Sequence, residues 1–315
     1  LPFEGLASGQ SIELKVEREK EGPAEYRTIN RGTALWQRSP AEVKDEEYAE
    51  LYKHLAHDGE APLAHKHFRA EGTTEFTGLL FLPQRQPFDL FDPDSKKGLR
   101  LYVKRVFVME DAEEILPRWL RFLRGVIDSE DLPLNVSREL LQDSRLTRII
   151  KKQVVRQALD MLDTLAKDRP DDYATFWRSF GVVLKEGLHF EPESAARLKK
   201  LVRFESTTRD GLVSLESAKA AMKEGQPALY YALGQSRKQI ESSPHLEGLR
   251  ARGYEVLLMT DPVDHWAVAA LGEVDGTKLV SATSGDIELG GETKDAAAKE
   301  EIDAVRWDPN VSEIA

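Results

Sequence analysis

From the turn at Arg138 to near Pro170 the apolar positions Leu146, Ile149, Ile150, Val154, Ala158, Leu159, Leu162 and Leu165 recur at helical spacing, which predicts one long helix with a single buried stripe. No other segment is patterned as strongly. "YATFWRSFGVVL" (173–184) and "PESAARLKKLVRF" (192–204) read as two more helices, so 137–204 is expected to form a helical connector, with Phe176, Trp177 and Phe180 in its core. The region before it has a different grammar. "SIELKVERE" (11–19) alternates Ile12, Leu14 and Val16 against polar residues, the period-2 signature of a half-buried strand, and "AEYRTINR" (24–31) follows where it could pair back. "TTEFTGLLFLP" (73–83) and "GLRLYVKRVFVME" (98–110) are further strands, separated by the Pro- and Asp-rich loop 83–98. A Ser39 cap signal and apolar spacing at Val43, Tyr48, Leu51, Tyr52 and Leu55 predict a surface helix over 39–59. A second helix over 113–128 is expected to be kinked or to begin at Pro117.

From residue 212 onward, helical and strand patterns alternate. "SLESAKAAMKEG", "SRKQIESSPHLEGLRARG" and "DPVDHWAVAALGEV" read as helices, while "ALYYAL", "YEVLLMT" and "KLVSAT" read as strands. Alternation of this kind implies crossover connections and a short parallel sheet. The expected fold class is therefore α/β: a strand-rich large α/β subdomain over 1–136, a helical connector over 137–204, and a small α/β subdomain over 205–283. An acidic, glycine-containing linker, or the start of a further domain, is expected over 284–315.

Composition narrows the function classes. The chain has 315 residues and a formal charge of −11, which argues against a nucleic-acid partner. No apolar run approaches the ~20 residues that a membrane span needs. The absence of cysteine excludes thiolate chemistry and disulfides and fits a cytoplasmic protein. A start at Leu1, with neither an initiator Met nor a signal pattern, suggests a piece of something longer.

Candidate chemistry is sparse. Neither a dinucleotide-binding glycine motif nor a P-loop occurs. His54, His57, His65 and His67 cluster in sequence but lack a metal-ligand spacing, so no metal is expected; the carboxylate pairs Glu46-Glu47 and Glu113-Glu114 read as solvated helix faces. One stretch stands out. In "DLPLNVSRELLQDS" (131–144) the rigid Leu132-Pro133-Leu134 step leads to Asn135 or Ser137 as helix caps, and Arg138 then sits in the helix's first turn, at the unfavourable end of the dipole. A guanidinium and a helix N-terminus aimed the same way suit an anion. Without a nucleotide pocket of its own, Arg138 fits the logic of an arginine finger offered to another domain.

The same residues carry a resemblance. "DLPLNVSRELLQ", together with "INRGTALWQRSP" (29–40), "LPQRQPFDLFD" (82–92), the run 101–144, "YATFWRSFGVVLKEG" (173–187) and "GYEVLLMTDPVDHWAVAAL" (253–271), is similar to the middle domain of the 90-kDa heat-shock chaperone family in its bacterial form. The resemblance spans roughly 29–283. It implies a ribosomal-S5-like α/β large subdomain, a helical coil and a small α/β subdomain. It also implies a split ATPase: ATP with Mg2+ is held by a separate N-terminal domain, and a C-terminal domain provides dimerisation. The segment alone should bind no cofactor and be monomeric. Arg138 matches the family's γ-phosphate-contacting arginine and Gln142 the glutamine that supports the same loop, with Asn135 and Ser137 beside them. Unfolded or partly folded clients are implied as partners, with Trp266 and Phe107 matching client-contacting aromatics. Two departures stand out. Gly59 replaces a large aromatic usual after "AHD", and His265 and Ala269 flank Trp266 where the bacterial pattern has other residues. A different class, a stand-alone protein-binding module without ATP dependence, would use the basic stripe Arg145, Arg148, Lys151, Lys152 and Arg156 for an acidic partner.

Overall fold

The computed structural model describes residues 33–72, 74–92, 98–134, 141 and 145–283, together with two strands near the N-terminus. Those strands, β1 (Glu13–Val16) and β2 (Glu25–Thr28), pair antiparallel, as the alternating pattern predicts. The chain divides into two compact units at Val202/Arg203.

The first unit is built on five strands: β3 (Ala64–Ala70), β4 (Phe76–Leu82), β5 (Arg100–Val103), β6 (Val106–Met109) and β7 (Arg124–Ser129), in the order β3-β4-β7-β5-β6. β4, "FTGLLFL", is buried along its whole length, as a continuous apolar run in a sheet interior should be. Helix α1 (Asp45–Ala56) lays Tyr48, Leu51 and Tyr52 onto Leu79, Phe81 and Val126, and Trp36 completes that cluster. The long helix α2 (Arg145–Asp168) packs along β3 and β4. Helix α3 (Pro170–Phe190) buries Phe176, Trp177 and Phe180, with Phe122 against Phe176 and Phe180 at ring separations of 5.4 and 5.1 Å. Helix α4 (Ala195–Leu201) packs against α2 and α3, so these helices close the first unit rather than standing apart from it.

Several sequence expectations need correction. The helix expected over 113–128 is a 3-10 turn at Arg118–Leu120 followed by strand β7, which lies between β4 and β5. The spacing of apolar residues there reflects a strand covered on both faces, so helical periodicity was a false signal. The single strand expected over 98–110 is the hairpin β5–β6, turned at Lys104 and Arg105, whose φ angles are +51° and +69°. Two consecutive left-handed residues form the hairpin turn that matches strand twist, here without glycine. Helix α1 begins at Asp45 rather than at Ser39, and the Glu47 carboxylate accepts the Lys44 N–H at 3.1 Å to close its first turn. The helix over 192–204 ends at Leu201, and Arg203–Ser206 is instead strand β8 of the second unit.

That second unit carries a sheet of β8, β9 (Val213–Ser214), β10 (Leu229–Leu233), β11 (Val256–Met259), β12 (Glu273–Val274) and β13 (Thr277–Ser281), ordered β12-β13-β10-β11-β8-β9. β10 runs parallel to both β11 and β13, as the strand-helix alternation predicts, while β8 and β12 join antiparallel. Helices α5 (Leu215–Ala220), α6 (Arg237–Glu241), α7 (Glu247–Ala251) and α8 (Asp264–Leu271) connect them. The single helix expected from 236 onward is broken at Pro244, which opens a 3-10 turn between α6 and α7. Tyr230 and Tyr254 stack at 5.9 Å in this core.

Gly125 marks the tightest point of the first sheet. Its φ is +151°, and a Cβ placed there would stand 2.0 Å from the Leu79 carbonyl oxygen, a backbone atom that cannot swing aside. Gly125→Ala should therefore cost at least about 3 kcal/mol of stability, measurable by urea unfolding followed through tryptophan fluorescence. An alanine variant that unfolds like the parent would show that β4 and β7 can part there at little cost.

Candidate functional site

β7 ends on a buried carboxylate. Asp128 is fully buried and accepts three hydrogen bonds: from Trp36 Nε1 at 3.0 Å and Gln37 Nε2 at 2.7 Å on Oδ2, and from the Arg105 backbone N–H at 3.1 Å on Oδ1. Buried charges persist where donors replace the lost water, and here three do so. The next residue continues the anchoring. Ser129 accepts the Lys104 N–H on its carbonyl at 3.0 Å, and its Oγ accepts the N–H groups of Asp131 and Leu132, both at 3.3 Å. Asp131 Oδ2 in turn accepts the Glu75 N–H at 2.6 Å, and Glu130 N–H donates to the Glu75 carbonyl at 3.1 Å. Leu132 is buried, Leu134 is exposed, and Leu141 is again fully buried before α2 starts at Arg145.

Asn135, Ser137, Arg138 and Gln142 all lie outside the described residues. What the structure places is the approach to them: a chain held by side-chain and backbone bonds from 128 to 132.

Phe107 stands on β6, two residues beyond the Lys104–Arg105 turn, and is 49% exposed. Its ring meets Tyr102 edge-on at 5.6 Å, and Tyr102 lies 4.8 Å from Trp36, so an aromatic series runs from the Asp128 network to the surface. Trp266 is on α8 in the second unit, 58% exposed, with its backbone N–H on the Val263 carbonyl at 3.0 Å. The basic stripe on α2 is largely solvated: Arg145, Arg148, Lys152 and Arg156 are exposed, and Arg156 lies 4.0 Å from Asp160.

Two of the clustered histidines, His65 and His67, serve the fold around Tyr48. His67 Nε2 faces the Trp36 carbonyl at 3.0 Å, which can only accept, so Nε2 carries the proton and Nδ1 accepts from the Tyr48 hydroxyl at 2.7 Å. Burial lowers the pKa of His67 below its ordinary value and keeps it neutral in that role. His65 stacks on Tyr48 at 4.1 Å and is lowered by burial too. Trp36, Gln37 and Asp128 are absent from the sequence-based candidates. A lone aspartate in an apolar strand was the available signal, but its partners lie about ninety residues away.

The comparisons with known proteins agree on one family. The family model described as Hsp90 protein matches residues 7–309. The chain is 55% identical over 287 residues to the chaperone protein HtpG of Myxococcus xanthus, covering 89% of this chain and 44% of that protein. Against HtpG of Klebsiella pneumoniae it is 48% identical over 287 residues, covering 90% of this chain and 46% of that protein. The chain thus spans less than half the length of these relatives. Its fold is similar to the middle domain of a Plasmodium falciparum heat shock protein, with a TM-score of 0.71 at 31% identity over 80% of this chain and all of that one.

Because Asp128 satisfies three donors from two separate segments, Asp128→Ala should destabilise the first unit by at least about 3 kcal/mol, the scale of a buried network left without its acceptor. Asp128→Asn, which keeps the shape and one acceptor oxygen, should cost clearly less. Equal losses in the two variants would mean that volume, not hydrogen bonding, is what Asp128 supplies.

Proposed function

The chain belongs to the Hsp90 family, and from that premise we propose that it is the middle segment of an ATP-dependent chaperone, contributing an arginine in cis to ATP held by a separate N-terminal domain. The observation that carries this reading is the anchored exit of β7. Bonds at Asp128, Ser129 and Asp131 fix the backbone up to Leu132, and Arg138 follows six residues later. A planar guanidinium offers paired N–H donors that fit phosphate oxygens, and a fixed approach lowers the entropy lost in presenting it. In this reading Arg138 donates to the γ-phosphate, Gln142 supports the same loop, and Asn135 and Ser137 shape the turn before the helix. Among the described residues no three carboxylate or imidazole groups converge as metal ligands, and magnesium is assigned to the nucleotide-holding domain along with ATP. ATP with its magnesium supplies the phosphoryl group to be transferred to water. The chain's own part is to place positive charge where negative charge develops.

Client proteins, unfolded or partly folded, are assigned to exposed aromatics: Trp266 on α8 and, secondarily, Phe107 on β6. Both carry large apolar area on short side chains, which favours contact energy over entropy loss. The absence of cysteine suits the cytoplasm, and dimerisation is assigned to a C-terminal domain, leaving this segment monomeric.

The test of the arginine is kinetic and uses the full-length protein. A guanidinium engaging the phosphate in the transition state should affect turnover more than affinity, so Arg138→Ala should lower ATPase activity by at least about tenfold with nucleotide affinity little changed. Arg138→Lys should rescue poorly, since it keeps the charge but loses the fork, and Gln142→Ala should be milder. Unchanged turnover in Arg138→Ala would return Arg138 to the ranks of solvated surface arginines.

The client surface is tested separately. Trp266→Ala should weaken binding of a chemically unfolded model protein while leaving the melting transition of this chain nearly intact, and Phe107→Ala should show a smaller loss. A melt that collapses in Trp266→Ala would make Trp266 a structural residue and remove it from the client surface.

A further inference from the structure

A pocket in the first unit, of about 610 Å³, lies where the C-terminal end of α1 meets the starts of β5 and β7. That volume falls in the range of small-ligand sites. Arg124, the first residue of β7, is half-buried there and unevenly used. Its Nη1 donates to the carbonyls of Arg121 at 2.9 Å and Leu123 at 3.0 Å, which occupies both N–H groups of that nitrogen. Nε and Nη2 carry the remaining three N–H groups and have no partner among the described residues, yet neither is sealed from solvent. The Nε–Nη2 edge is the one that presents two parallel donors to a carboxylate. Burial depresses the Arg124 pKa, with Asp89, Tyr52 and Asp111 opposing that effect, as expected of a cation short of close counter-charge.

The rest of the lining selects the ligand. Arg85, Arg100 and Arg124 line the pocket together with Asp58, Asp89 and Glu110, so the carboxylates offset the guanidinium charges and no surplus of positive charge is left to hold a multiply charged anion. Asp58 is already engaged by the Tyr52 hydroxyl at 3.0 Å and the Glu60 N–H at 3.0 Å, and Glu110 lies 3.5 Å from Arg100. Phe88 is fully exposed at this pocket, a large apolar ring with water on both faces. Gly59 also lines the opening, and a Cβ there would meet nothing within 4 Å. A large side chain at position 59 therefore has room at the edge of the pocket.

We propose that this pocket binds a small organic monocarboxylate, its carboxylate forked on the Nε–Nη2 edge of Arg124 and its apolar body against Phe88. The charge balance disfavours a dianion, and the planar fork favours carboxylate geometry.

The experiment titrates the 315-residue chain with 3-phenylpropionate and follows amide and arginine Nε–H signals by heteronuclear NMR. Saturable shifts are expected at the Arg124 Nε–H and at the Gly59, Gly98 and Gly125 amides, with none from 3-phenylpropionamide. Arg124→Lys should weaken binding at least about tenfold, the scale of a charge-assisted fork reduced to a point charge. Since Arg124 also braces two carbonyls, Gly59→Trp asks the same question without touching it: the pocket should fill, and binding should be lost at an unchanged melting temperature. A peptide ending in a free phenylalanine carboxylate serves as a second probe, and binding of that peptide alone would make the source of the carboxylate a polypeptide terminus. The proposal is overturned by an absence of saturable shifts with either probe, by equal binding of the amide or of inorganic phosphate, or by undiminished binding in Gly59→Trp.

Discussion

One buried carboxylate holds together segments that the chain keeps far apart. Asp128 draws the indole of Trp36 and the amide of Gln37 from the segment before α1, and the backbone of Arg105 from the β5–β6 turn, onto the end of the central strand β7. In a low-dielectric interior each of these bonds is strong, and each is needed, because any donor left over would carry its own desolvation cost. The strained turn at Lys104–Arg105 depends on the same acceptor. Two non-glycine residues with positive φ cost energy, and the bonds from Lys104 N–H to Ser129 and from Arg105 N–H to Asp128 offset it.

Legibility in the sequence followed how many faces of an element are buried. The α2 stripe was readable because one side packs and the other is solvated, and Ile150, Val154, Ala158, Leu159, Leu162 and Leu165 are all buried as their spacing predicts. β7 was not readable, because burial on both faces erases the period-2 signal and leaves "WLRFLRGVID" resembling a helix. The parallel pairing in the second unit followed from the order of elements, whereas the break at Pro244 shortened a helix that periodicity alone would have continued.

The sequence candidates for the site rest on a different kind of signal. Arg138 stood out because a Leu-Pro-Leu step and the cap-type residues Asn135 and Ser137 precede it, a local property of adjacent residues. The Asp128 network was invisible, since Trp36 and Asp128 become partners only once the sheet has formed, and nothing local to either residue records the other. The same limit hid the Arg124 pocket, whose walls come from α1, the 83–92 loop and two strands. Gly59 was visible in the sequence as a missing aromatic, but its meaning as open space needed the surrounding backbone.

The distribution of these bonds also constrains where motion can occur. From Asp128 to Leu132 the backbone is tied to Trp36, Gln37, the β5–β6 turn and Glu75 by hydrogen bonds at 2.6 to 3.3 Å, and Leu132 is buried. Moving any one of these residues would strand donors belonging to another segment, so displacement is costly for the whole set rather than for one bond. Ordering of this kind is what a positioning element requires, and it holds the backbone as far as the buried Leu132. If Arg138 meets a phosphate as proposed, a chain already ordered up to Leu132 loses less entropy in presenting it, because part of the ordering has been done by folding. Under the proposed role, Asp128 acts at a distance, by holding the strand end from which the chain runs on toward Arg138.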